Sequence, residues 1–154
     1  MKNNFLKFLQ SFKYAFNGLK FVIRSERNFR FHLAMAFYVI FFAIIGKTTN
    51  AQIGVLCICM ALVLTAELIN TALEFLCNEV TLEKRDAIMH IKDIAAASVL
   101  VCAFLSAVAG LFIFLSRDVW NSVFDTLFTY PLITVLFLIS VALNLIFIFK
   151  NRKR

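Results

Sequence analysis

Glu67, Asn70, Thr71 and Glu74 stand at i, i+3, i+4 and i+7 inside an apolar stretch that runs from Ala51 to Cys77. That spacing sets all four in one stripe along one face of a helix. The stretch is long enough to cross a bilayer, for which ~20 residues suffice. An ionised carboxylate inside a membrane helix is costly, so such groups face a bundle interior or a site. Two carboxylates on one face, with an amide between them, are the strongest functional lead in the chain.

The elements that carry this stripe follow from composition. The chain has 154 residues, of which 62% are hydrophobic and 16% charged. A soluble domain of this size cannot hide so much apolar surface. With 19 Phe, four Gly and one Pro, long apolar helices are favoured over turn-rich sheets. The expected fold class is an all-α integral membrane protein: an N-terminal amphipathic surface helix over 5–24, three core transmembrane helices at about 29–45, 51–77 and 94–115, and a fourth C-terminal transmembrane helix over 130–149. No small-residue cleavage site follows the first apolar run, so the basic N-terminal segment is not expected to be a removed leader.

Basic residues orient these spans. Fourteen of the sixteen Lys and Arg fall before span one or in its first turn (Arg30), between spans two and three, or in the tail; the other two connections hold only Lys47 and Arg117. Such sorting places both termini in the cytoplasm. The net charge of +7 is this bias plus attraction to anionic headgroups, and no nucleic acid is needed to explain it. Phe5, Phe8, Phe12, Phe16, Leu19 and Ile23 form one stripe of the N-terminal helix and Lys13, Lys20 and Arg24 lie on another, as in a helix lying in the membrane interface. Trp120 and Tyr130 fall where an outer aromatic belt is expected, and Pro131 suits a helix start. Cys57, Cys59, Cys77 and Cys102 all lie within spans and read as small core residues, with no disulfide framework.

Span two enters from outside near Gln52, so Glu67 lies in the inner leaflet and Glu74 near the cytoplasmic interface. Spans one and three start at that interface, after Glu26-Arg27-Asn28 and at Lys92-Asp93. Glu26, Asn28, Glu67, Asn70, Glu74, Lys92 and Asp93 therefore gather at one membrane level. Each has an ordinary reading alone: a solvated carboxylate for Glu26 or Glu74, an N-cap for Asp93, a positive-inside residue for Lys92, helix–helix glue for Asn70. Glu67 is the deepest and the hardest to explain that way. Together they fit phosphoryl transfer to a lipid alcohol. Two carboxylates hold Mg²⁺ on nucleotide phosphates, a Lys neutralises phosphate charge, and a deeper carboxylate takes the hydroxyl proton. The chain has no GxxxxGK[ST] and no GxGxxG, so an ATP site here is built from side chains.

Four segments carry a resemblance: Phe12-Lys13-Tyr14-Ala15-Phe16-Asn17-Gly18-Leu19, Glu26-Arg27-Asn28-Phe29-Arg30-Phe31-His32, Ala66-Glu67-Leu68-Ile69-Asn70-Thr71-Ala72-Leu73-Glu74, and Ile91-Lys92-Asp93-Ile94-Ala95-Ala96. Over residues ~5 to ~115 the chain resembles the prokaryotic diacylglycerol kinase family, which includes undecaprenol kinases. The resemblance implies a homotrimeric kinase of the bacterial inner membrane, with a surface helix and three spans per protomer and with cytoplasmic active sites shared between protomers. It implies MgATP as phosphate donor and a lipid alcohol as acceptor. It also implies roles: Glu67 as catalytic base; Glu26 and Glu74 as metal-binding carboxylates that also touch nucleotide; Lys7, Tyr14, Lys92 and Asp93 at the nucleotide; Glu83, Lys84 and Arg85 in the ATP-contacting connection; and Phe12, Asn17, Asn28, Arg30, Glu67, Asn70 and Ala96 at the lipid substrate.

On this reading residues 1–118 form the lipid kinase domain. Residues 119–154 add a helix and a basic tail outside the family's three-span plan, read as peripheral packing. Diacylglycerol and undecaprenol both remain open, because an apolar groove reads chain length poorly. The rival class is a small four-span proton-coupled transporter using Glu67. It leaves Glu26 and Lys92-Asp93 at the same inner level without a reason. A purely structural subunit leaves Glu67 unexplained.

Overall fold

In the computed structural model, residues 2–80 and 85–150 are described. They form six helices in chain order: α1 (Lys2–Ser25), α2 (Arg27–Ile45), α3 (Asn50–Val80), α4 (Asp86–Phe114), α5 (Arg117–Thr129) and α6 (Pro131–Phe149). Four of them, α2, α3, α4 and α6, are long and apolar enough to cross a membrane. Their surfaces stay greasy all round: α6 buries no residue within the protomer and α4 only Ala95, Val99 and Ile113. A helix that is apolar on every face and unburied by protein is solvated by lipid.

The α3–α4 hairpin is the longest pairing. Its 31 and 29 residues reach about 46 and 44 Å at 1.5 Å per residue, well beyond a ~30 Å hydrocarbon core. Hydropathy marks where span three enters the membrane, near 94, but the helix starts eight residues earlier at Asp86. The segments Asn78–Val80 and Asp86–His90, expected in a polar connection, are helical. No Gly or Pro interrupts the chain between Gly54 and Gly110, so backbone hydrogen bonding continues past the point where the side chains turn polar. Asp93 therefore sits inside α4, not at its N-cap. Ser106 Oγ donates to Cys59 O at 3.2 Å deep in the hairpin, and Lys92 Nζ donates to Asn78 Oδ1 at 2.7 Å toward the C-terminal end of α3.

The turn between α2 and α3 is closed by two motifs. Lys47 has φ 53, and the amides of Lys47 and Thr48 donate to Ile44 O and Ala43 O. This is a Schellman ending with a lysine at the left-handed position. Thr49 and Gln52 then form a capping box: Thr49 N donates to Gln52 Oε1 at 2.9 Å and Gln52 N to Thr49 Oγ1 at 3.3 Å.

Residues 117–129 are a helix of their own, where only an aromatic-belted connection was expected. α5 is amphipathic and packs over the C-terminal end of α2, where a Cβ at Gly46 would come within 2.7 Å of Val119 Cγ1. Trp120 Nε1 donates to Phe114 O at 2.7 Å, covering a carbonyl at the end of α4.

α6 runs antiparallel to α2 along its length. Phe137 stacks on Phe41 with centroids 5.4 Å apart, Asn144 Nδ2 donates to Tyr38 OH at 3.0 Å, and Arg30 reaches Ile148 O. The contacts climb one helix as they descend the other. The fourth span expected from hydropathy is thus a packed member of the protomer. α1, whose side chains are mostly exposed, is held at its C-terminal end by buried Val22 and by Phe21 edge-on against Phe75 at 5.0 Å.

Candidate active site

Glu67 is 3% exposed on α3, facing α2. Its Oε1 lies 3.4 Å from His32 Nε2. Asn28, one turn before His32 on α2, joins them, with Asn70 from α3 and Ala96, Val99 and Ala103 from α4, around a groove of about 240 Å³. Three spans thus supply one polar pocket. Asn70 is nine-tenths buried; its Nδ2 donates to Glu74 Oε1 at 3.2 Å. Its Oδ1 is buried with no hydrogen-bond partner among the described residues. An orphaned buried acceptor costs about 1–3 kcal/mol, so it marks a place where a ligand donor is favoured.

A second groove, of about 330 Å³ and almost wholly apolar, adjoins the first. His32 and Ala103 line both. It follows α3 from Val63 back to Leu56 and ends at Phe114, running toward the N-terminal end of α3. His32, 3.4 Å from the buried carboxylate, thus stands where a polar pocket meets an apolar slot, an arrangement suited to an amphiphile whose headgroup reacts.

Residues 13–114 match the family described as Prokaryotic diacylglycerol kinase. The chain belongs to that family. The kinase is 31% identical to the undecaprenol kinase of Bacillus subtilis over 116 residues, which is 75% of this chain and 94% of that relative. It is 33% identical to the diacylglycerol kinase of a Synechocystis species over 103 residues, 66% of this chain and 59% of that relative. No solved structure matches it. Family and relatives make this chain a lipid kinase of the membrane. The matched region holds α2, α3, α4 and the C-terminal half of α1; α5 and α6 lie outside it.

The kinase's expected site residues divide by position. Asn28, Glu67, Asn70 and Ala96 share the groove, and Glu74 joins through Asn70. Glu26 is half-buried at the break between α1 and α2, in extended conformation at φ −103, ψ 117. Lys92 is half-buried and bonded to Asn78, Asp93 is exposed next to it, and Arg85 precedes α4. Lys7, Phe12, Tyr14 and Asn17 are exposed on α1 and line neither groove. Glu83 and Lys84 lie outside the described residues. Thr71, though in the same stripe, turns with Leu68 and Ala72 toward α1.

Arg30, expected at the lipid substrate, lines neither groove. It is 5% exposed, and its guanidinium donates to backbone carbonyls of α1 and α6. His32 is the site residue that sequence reasoning left without a role. It lies in the matching Glu26–His32 run, and the signal was its i+4 spacing from Asn28.

For Mg²⁺, the donor set on hand is carboxylate oxygen. Among the described residues no three His, Cys, Asp or Glu converge into a cage. Mg²⁺ takes oxygen ligands, often one or two carboxylates beside phosphates and water, so Glu26 and Glu74 are of the type that would hold it.

Proposed function

We propose that this kinase transfers the γ-phosphate of MgATP to the hydroxyl of a membrane lipid alcohol at the cytoplasmic interface. The observation that carries the reading is buried Glu67 in the polar groove, 3.4 Å from His32, which also lines the apolar one. The apolar slot takes the lipid tail and the polar pocket takes the hydroxyl. Glu67 accepts the hydroxyl proton as the oxygen attacks the γ-phosphorus and the bond to the bridging oxygen of ADP breaks. His32, on Oε1, holds the carboxylate so that its other oxygen serves as the acceptor. Asn70 fixes Glu74, and Glu74 with Glu26 would hold Mg²⁺, which neutralises phosphate charge when bound. Lys92, Asp93, Tyr14, Lys7 and the connection with Glu83, Lys84 and Arg85 would contact the nucleotide.

Undecaprenol is the favoured acceptor, because the undecaprenol kinase of Bacillus subtilis is matched over 94% of its length, against 59% of the diacylglycerol kinase. The sorting of basic residues supports a cytoplasmic site and termini, and a homotrimer with shared sites rests on the family resemblance. The test is to incubate purified protein in mixed micelles with labelled ATP, Mg²⁺ and either undecaprenol or diacylglycerol. Labelled undecaprenyl phosphate is expected. Label in neither lipid overturns the reading, and label in diacylglycerol alone overturns the choice of acceptor.

A further inference from the structure

Arg30 joins the ends of two helices. Its Nη1 donates to Ile23 O at 3.2 Å and Arg24 O at 3.3 Å, both in the last turn of α1. Its Nε and Nη2 donate to Ile148 O, at 3.3 and 3.1 Å, in the last turn of α6. The last four carbonyls of a helix have no partner within it, and the negative end of the helix dipole lies there. A guanidinium set between two such ends satisfies three carbonyls and is stabilised by both dipoles. Its planar fork lets one side chain serve both helices, which a lysine cannot do.

The clasp sits at a sensitive point. α1 ends at Ser25, Glu26 alone is extended, and α2 begins at Arg27. By fixing Ile23 and Arg24 against Arg30, the clasp sets the angle at which the chain passes through Glu26. Asn28 and His32, which line the polar groove, flank Arg30 on α2. At the other side, α6 is anchored by Asn144 on Tyr38 and by Phe137 on Phe41, so Ile148 O is a fixed post.

We propose that Arg30 and the C-terminal end of α6 form a positioning device for Glu26, so that the fourth helix takes part in binding MgATP. The inference rests on the role given to Glu26 above. It assigns work to a helix outside the family match and makes Arg30 a positioning residue, in place of a lipid contact.

The test uses the full-length protein with two alterations, Arg30→Gln and the pair Phe149→Gly with Lys150→Gly. The pair frays the last turn of α6 and touches no site residue. Two readouts are taken for each. The first is the Mg²⁺ and ATP dependence of lipid phosphorylation, where a shift of about 10–100-fold toward higher concentration is expected with KM for the lipid little changed. The second is the distance between spin labels at Gln10 and Lys47, diluted with unlabelled protein, which is expected to broaden when the clasp is lost. A folded Arg30→Gln protein with parental titrations or a parental distance distribution overturns the inference. Should Arg30→Gln fail to fold, the glycine pair decides by the same two readouts. A parent chain with no MgATP-dependent lipid phosphorylation overturns the proposed function itself; an active parent with indifferent variants overturns only the clasp.

Discussion

His32 Nε2 lies 3.4 Å from Oε1 of Glu67, a contact between α2 and α3 that holds one oxygen of a carboxylate 3% exposed. Replacing His32 by Phe removes the polar neighbour of that buried oxygen. A fall in kcat of roughly 10–100-fold is expected for His32→Phe, with a smaller fall for His32→Gln, whose amide can still donate. Steady-state kinetics with saturating MgATP checks it. Equal kcat in the two variants would show that hydrogen bonding to Glu67 is not what His32 supplies.

Glu67→Gln is expected to abolish lipid phosphorylation while leaving the fold intact. The amide keeps the shape and still meets His32, but it does not accept a proton at neutral pH. Loss of a general base is worth about 10²–10⁴ in rate. Thermal unfolding in micelles should match the parent. Near-parental kcat would remove Glu67 from its role.

Glu26→Gln and Glu74→Gln are expected to raise the Mg²⁺ concentration needed for activity. Mg²⁺ demands a nearly complete octahedral set of oxygens, and a neutral amide is a weaker ligand than a carboxylate. Glu74→Gln should have a further effect, because Asn70 Nδ2 loses a charged acceptor. An Mg²⁺ titration at fixed ATP measures both; unchanged midpoints would take the two carboxylates out of the metal site.

Lys92→Met is expected to raise KM for ATP by roughly 10–100-fold, the loss of a charged contact worth about 1.5–3 kcal/mol. Lys92 Nζ is held by Asn78 Oδ1 at 2.7 Å. Asn78→Ala removes that hold and keeps the charge, so its ATP dependence should stay within a few-fold of the parent. A larger loss in Asn78→Ala than in Lys92→Met would make the pair a helix clamp and not a phosphate contact.

Lys47→Gly is expected to stabilise the protein. Lys47 occupies the left-handed position of the Schellman ending at φ 53, where a side chain costs roughly 1–2 kcal/mol. Glycine adopts that conformation freely, though its greater freedom in the unfolded chain offsets part of the gain. The unfolding temperature should rise by a few degrees with activity unchanged; a fall would show that the lysine side chain makes a stabilising contact of its own.

Hydropathy and periodicity alone determined that this is an all-helical membrane chain with four spans and a surface helix, and that Glu67, Asn70 and Glu74 share one stripe. These are properties of a single helix and its solvent. The capping box at Thr49 and Gln52 and the Pro131 start are equally local. Only the tertiary structure decided which neighbour each face meets. His32 reaches Glu67, Thr71 turns toward α1, Arg30 goes to the ends of α1 and α6, and residues 117–129 fold into a helix over Gly46. In a soluble helix the apolar stripe tells inside from outside. In lipid both sides are apolar, so rotation about each helix axis is set by packing and by the few polar groups that must find partners in another helix.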